Sequence, residues 1–96
     1  MSERTPIILC GGSAGRAVIF GYVDSLPEQG QPAVLFNARM VLRWEGRAGL
    51  FGLAAKGPEP GSRLTESVPR VEDIDWKQHL VCTPEGAAAL AAWPAE

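Results

Sequence analysis

The stretch from Ala33 to Pro58 constrains the fold most, because its apolar residues change from a spacing of two to a helical spacing. Alternate apolar positions are typical of a strand with one buried side. In the first half these positions are Val34, Phe36, Ala38, Met40, Leu42 and Trp44. We therefore predict a strand over residues 33–44. A strand of this length exceeds the usual five or six residues, so we expect a bend at Asn37–Ala38.

The second half of this stretch predicts a short helix over residues 49–56. Its apolar residues at helical spacing are Leu50, Leu53 and Ala54. Lys56 followed by Gly-Pro is a typical end signal for a helix. Because a helix of two turns is marginally stable alone, it must lie on apolar surface. The nearest candidate is the face of the predicted strand with Met40, Leu42 and Trp44.

The rest of the chain completes an α+β pattern. Residues 16–24 read as a strand that forms a hairpin with 33–44, and Thr83-Pro84 is a helix start for residues 84–93. Further strands are predicted over 6–10, 63–68 and 77–82, with Pro69 interrupting an edge strand. We expect a single domain over residues 1–96, with a small antiparallel sheet of four to five strands and both helices on its apolar side. A barrel-like curl of the sheet fits the same pattern.

Composition excludes some classes of protein. No apolar run approaches the roughly 20 residues that cross a bilayer, and no signal peptide is visible, so no membrane association is expected. The net charge of −2 argues against a nucleic-acid partner without excluding one. Cys10 and Cys82 have no metal-site spacing and are expected to be reduced thiols in a cytosol. No metal ion or cofactor is expected.

Four segments carry a resemblance to a known family. They are ARMVLRW, GLFGLAAKGP, SVP and the final TPEGAAALAAW. Together they resemble a family of small bacteriophage and prophage proteins of unknown function, over roughly residues 16–93. The resemblance implies a phage or prophage origin and a bacterial cytoplasm. It implies no activity, because that family has none assigned.

One motif suggests chemistry. Cys10 and Arg16 are separated by a Gly-rich loop after an apolar segment, which matches the Cys-x5-Arg phosphate loop of protein tyrosine phosphatases. In that loop, backbone amides and the Arg hold the phosphate while a thiolate of lowered pKa attacks it. The loop should lead into a helix N-terminus. Here AVIFGYVD follows, which predicts a strand, so we favour a loop that opens a hairpin.

A basic surface is the best binding candidate in the sequence. Alternation along the predicted strand puts Arg39 and Arg43 on one face, with Arg47 in the turn beyond. Trp76 lies among charged residues and is the tryptophan expected to be exposed. A solvated face that keeps the sheet soluble is the alternative interpretation. Because that face lacks aromatic residues for base stacking, a protein partner is preferred over nucleic acid.

The sequence thus favours a non-catalytic protein. We expect a small phage-type accessory protein that binds a host or phage macromolecule, for example as an inhibitor of a host defence complex. The alternatives are an oligomeric structural or assembly protein, since sheet edges pair readily, and an enzyme resembling the Cys-x5-Arg phosphatases.

Overall fold

The computed structural model of the protein describes residues 4–11, 17–44 and 49–95. The described chain contains six strands and two helices. In chain order they are β1 (Thr5–Gly11), β2 (Ala17–Val23), β3 (Ala33–Arg43), α1 (Gly49–Lys56), β4 (Arg63–Leu64), β5 (Val68–Ile74), β6 (Trp76–Val81) and α2 (Pro84–Ala92). The fold is α+β, as the sequence predicts, and the predicted turn around Arg47 lies outside the described residues.

The strands form one antiparallel sheet. Its order is β4-β3-β2-β1-β6, and β5 pairs with β3 on the same side as β4. The predicted hairpin is confirmed, because Phe20 pairs with Arg39 and Tyr22 with Phe36. The segment after the Gly-rich loop is therefore extended, as AVIFGYVD predicts. Of the predicted loop, residues 11–15, Gly11 is the last residue of β1; residues 12–15 and Arg16 lie outside the described residues.

A bulge at Asn37 changes which side chains of β3 are buried. Asn37 has a φ of 50°, and β3 contains one residue more than β2 between the pairs on either side of it. An extra residue moves every later side chain to the other face of the sheet. The bend is thus where the sequence predicts it. The single apolar face predicted for residues 34–44 is wrong, because the extra residue puts Met40 and Leu42 on the opposite face from Val34 and Phe36.

The helices cover the face of the sheet that carries Val41. We call the buried residues between the helices and the sheet the helix-side cluster. It consists of Ile8, Phe20, Val41, Leu53, Ala54, Leu64, Cys82, Ala87 and Leu90. Thr83 caps α2 by accepting a hydrogen bond from the Gly86 amide, as predicted. The expectation that α1 lies on the face with Met40, Leu42 and Trp44 is wrong for Met40 and Leu42, since the bulge turns both away from the helices, whereas Trp44 packs against the helix-side cluster.

The opposite face holds a second core. We call it the curl-side cluster, and it consists of Ile7, Leu9, Val23, Ala33, Leu35, Ala38, Ile74 and Trp76. Ile74 comes from β5, which pairs with β3, and Trp76 from β6, which pairs with β1. Since both ends of the sheet contribute to one cluster, the sheet curls around it. It is not closed into a barrel.

The edge of the sheet beside β3 is broken into two strands. The predicted strand over 63–68 is only Arg63–Leu64, and the chain leaves the ladder at residues 65–67. It returns as β5, which contains Pro69. The break therefore precedes Pro69, and the acidic segment that follows is a strand with a second bulge at Asp73, where φ is 57°.

Candidate protein-binding groove

An apolar groove opens on the curl side of the sheet, beside the break between β4 and β5. Its volume is about 800 Å3, and it is lined by Ile19, Ala38, Met40, Leu42, Thr65, Glu66, Val68 and Val71. Ala38 belongs to the curl-side cluster, and Ile19 and Val71 pack against that cluster. The groove is therefore a place where this core continues to the protein surface.

Three large apolar side chains of the groove are exposed. The exposed fraction is 43% for Met40, 52% for Leu42 and 45% for Val68. Single exposed apolar side chains are ordinary, but three along one groove make it a candidate interaction surface. The Asn37 bulge accounts for two of them, because it turns Met40 and Leu42 away from the helices.

Thr65 fixes the backbone at the edge of the groove. The Thr65 amide donates to the Met40 carbonyl at 3.0 Å, and the Thr65 hydroxyl accepts from the Met40 amide at 3.0 Å. The side chain thus replaces a strand partner at the point where the ladder breaks. These two bonds satisfy the backbone N–H and C=O groups of Met40, although the regular ladder is broken beside it.

Arg39 occupies a different place from the one predicted. Only 5% of it is exposed, and its guanidinium reaches across to α2. Its Nε donates to the Thr65 carbonyl at 2.7 Å, and its Nη1 donates to the Leu90 and Ala91 carbonyls at 2.7 and 3.3 Å. Burial lowers the pKa of this guanidinium from its ordinary value, yet arginine stays charged in proteins. The prediction that Arg39 presents a solvent-facing basic surface is wrong.

The other predicted binding residues do not come together. Arg43 is exposed at the end of β3, and Arg47 lies outside the described residues. Trp76 is buried in the curl-side cluster, and its indole N–H donates to the Gln31 carbonyl at 2.7 Å. The expectation that Trp76 is exposed is therefore wrong. The described residues contain no basic surface shared by Arg39 and Arg43.

A second cleft is more polar than the groove. It has a volume of about 620 Å3 and lies beside Asp24, Phe36 and Arg70. The Arg4 and Arg70 guanidiniums lie 3.7 and 5.4 Å from the centre of the Phe36 ring. Each is already paired, Arg4 with Asp24 at 3.0 Å and Arg70 with Glu72 at 2.7 Å. These charges are neutralised within the fold, so the cleft is the weaker candidate.

The reactive side chains of the described chain are dispersed. Burial raises the pKa of the Cys10 thiol and raises that of Cys82 to about 11, whereas a nucleophilic cysteine requires a lowered pKa. His79 stacks edge-to-face on Trp76, with ring centres 5.3 Å apart. Within the ranges that the structure describes, no three His, Cys, Asp or Glu residues are grouped so that they could hold a metal ion. Neither of the helices found there could span a membrane.

The groove and the fold define a small α+β domain with two helices on one face of a curled antiparallel sheet and an apolar groove on the other. A family model described as a domain of unknown function, DUF6948, matches residues 4–90. The protein belongs to this family. A comparison with curated proteins and one with solved structures each found no match.

Sequence reasoning missed most of the groove. The sequence predicts strands that contain Ile19 and Val68, predicts no element at Val71, and places Met40 and Leu42 under α1. The usable signal is Asn37, a residue that tolerates positive φ, inside an otherwise apolar strand. Shifting the alternation by one residue at that point predicts Met40 and Leu42 on the face opposite Val34 and Phe36.

Proposed function

We propose that this protein is a non-catalytic binding module that holds an apolar segment of a partner protein in the groove. The observation that carries the proposal is the row of exposed side chains Met40, Leu42 and Val68 over a floor continuous with the core. Packing these side chains against a partner removes apolar surface from water. This burial stabilises the complex by about 25 cal/mol per Å2 of apolar surface. Methionine adapts to differently shaped ligands, which suits a surface of this kind.

The chemistry of the partner follows from the lining of the groove. Its one charged lining residue is Glu66, which is exposed beside Val68. A segment with two or three apolar side chains and a Lys or Arg next to them would satisfy both features. The Glu66 carboxylate attracts a basic segment and repels an acidic one. Charges at the rim of an interface mainly raise specificity and the association rate.

Two observations favour binding over catalysis. The thiol expected of a phosphatase-like site, that of Cys10, has a raised pKa because it is partly buried. The segment that would have to begin a helix over a bound phosphate is β2, a strand from Ala17. Both observations count against the Cys-x5-Arg alternative. The groove is therefore the better candidate for the functional site.

The cellular setting is part of the proposal. The resemblance to phage and prophage proteins supports a role as an accessory protein in the cytoplasm of a bacterial host, where Cys10 and Cys82 remain free thiols. The partner would then belong to a host or phage complex, and an inhibitor of a host defence complex is the specific case that we propose.

The test is a selection of peptides from a random displayed library on the purified protein. We expect enriched sequences with two or three apolar residues beside Lys or Arg, and we expect them to bind in solution. Met40→Ser combined with Val68→Ser should weaken binding at least about tenfold. Glu66→Lys should reverse the charge preference, so that acidic neighbours are selected.

A matched control keeps the outcome interpretable. Val81 is also an exposed apolar strand residue, but it lies on β6, away from the groove, so Val81→Ser should leave peptide affinity unchanged. Circular dichroism should show that all variants are folded. Selected peptides that bind the Met40/Val68 variant as tightly as the wild type, or a library that yields no binding sequence, would overturn the proposal.

A further inference from the structure

The two free edges of the sheet differ in their protection. The edge formed by β5 contains Pro69, which lacks an amide hydrogen, and a bulge at Asp73. It also carries the Arg70–Glu72 ion pair on exposed side chains. Proline, bulges and charges are the devices that stop an edge strand from pairing with another chain. The β5 edge is therefore blocked.

The edge formed by β6 has little of this protection. Among the described residues β6 pairs only with β1, and it contains no proline. Its one irregularity is at the Trp76 end, where the register with Gly11 shifts. Beyond that point the ladder is regular through His79, Leu80 and Val81. The second half of β6 therefore forms an unblocked edge.

The hydrogen bonds to β1 show which backbone groups face outward. The Cys82 amide donates to the Pro6 carbonyl at 2.9 Å, so Pro6 and Cys82 are a hydrogen-bonded pair. In an antiparallel ladder such pairs alternate with pairs whose groups point away. Leu80 therefore bonds to Ile8, while the N–H and C=O groups of His79 and Val81 point away from β1.

Apolar side chains flank this outward edge. Phe51 of α1 is 70% exposed and Val81 is 52% exposed. Both line one shallow hollow of about 240 Å3 together with Leu80 and residues of α1. An unpaired edge beside exposed apolar side chains is a template for another strand.

We propose that two copies of this protein associate through β6, as a two-fold antiparallel pair centred on Leu80. A two-fold axis at Leu80 pairs His79 of each copy with Val81 of the other. That register uses the outward groups of both residues and gives four backbone hydrogen bonds. It also sets the two Leu80 side chains opposite each other in a closely spaced pair, beside Phe51 from each copy.

This association is independent of the groove. The groove is lined by residues at the start of β5, and the pairing residues lie at the end of β6, at the other end of the sheet order. Each copy in the pair would keep its groove open. The assembled protein would therefore present two grooves, and a partner with two matching segments would bind it more tightly than one with a single segment.

The test is sedimentation velocity over a roughly hundredfold range of protein concentration, since a dimer forms by mass action. The wild type should shift from monomer to dimer. His79→Pro removes an outward N–H while leaving every bond to β1, and it should abolish the dimer. Val81→Lys keeps the backbone intact and should raise the dissociation constant at least about tenfold by adding a charge to the edge.

A cysteine variant tests the register. Leu80→Cys should form a disulfide-linked dimer on mild oxidation, because the two-fold pair brings the new thiols together. Val68→Cys, an exposed position on the other edge, should form no disulfide-linked dimer under the same conditions. The groove variant Met40→Ser should dimerise like the wild type. A wild type that stays monomeric throughout, or a dimer that persists in both His79→Pro and Val81→Lys, would overturn the proposal.

Discussion

Replacing Arg39 with methionine should be among the most damaging single substitutions in the chain. Arg39 joins β3, the segment after β4 and the end of α2 through three carbonyl groups. The Leu90 and Ala91 carbonyls belong to the last turn of α2, where a helix has no partners of its own for them. Since α2 has no basic residue in its last turn, Arg39 also supplies the positive charge that the helix dipole favours there.

The magnitude follows from the geometry. A hydrogen bond to a charged group contributes about 1.5–3 kcal/mol, and two of the three are short, at 2.7 Å. Removing the guanidinium also removes the cost of burying its charge, which offsets part of the loss. We expect a net decrease of about 3 kcal/mol in the free energy of unfolding. For a domain of this size that corresponds to a Tm lowered by roughly 15 °C.

Urea unfolding followed by tryptophan fluorescence measures this change, because Trp76 and Trp93 are held by the fold. Arg39→Lys should recover less than half of the loss, since an ammonium keeps the charge without the fork of donors. Arg43→Met is the matched control on the same strand, and because Arg43 is exposed it should cost less than about 1 kcal/mol. An Arg39→Met protein as stable as the Arg43→Met protein would refute the role assigned to Arg39.

Three further predictions concern the helix layer. Gly86→Ala should destabilise the protein by about 1–3 kcal/mol in urea unfolding, although alanine favours helices, because its Cβ would clash with the Ala54 carbonyl; an unchanged midpoint would contradict this. Thr83→Ala should lower stability by about 1 kcal/mol and Thr83→Ser should restore it, since the hydroxyl caps α2; equal loss in both variants would exclude capping as the cause. Stability should fall as the pH rises above about 9, because burial raises the pKa of Cys82 to about 11 while the unfolded thiol ionises earlier. Cys82→Ala should flatten this fall, and identical slopes would refute the link.

Local signals predicted the elements of the fold well. The Lys56-Gly57 stop and the Thr83-Pro84 start are decided within a few residues, and both helices begin and end within one residue of the prediction. Gly57 has a φ of 89°, a positive value that glycine adopts without steric cost at the end of a helix. The strands β1 to β3 were likewise found from their apolar patterns, because a strand with a buried side must show one.

The faces and the site could not be predicted in the same way. Arg39 looked like a surface cation, since its carbonyl partners are 26 and 51 residues away in the sequence. Trp76 lies among charges in sequence, yet its indole bonds to a carbonyl 45 residues away. The groove depends on the bulge at Asn37 and on where the ladder from β4 stops. Asn37 itself marks the bulge, but no local pattern marks the end of that ladder.

Residues of β1 point alternately into the two cores. Ile7 belongs to the curl-side cluster and Ile8 to the helix-side cluster, and neither has any exposed surface. Detaching α1 and α2 would expose the helix-facing side chains of this strand to water, while its other side chains would remain packed in the curl-side cluster. Helices and curled sheet should therefore melt together in one cooperative transition, and amide hydrogens of β1 should exchange with solvent only through global unfolding.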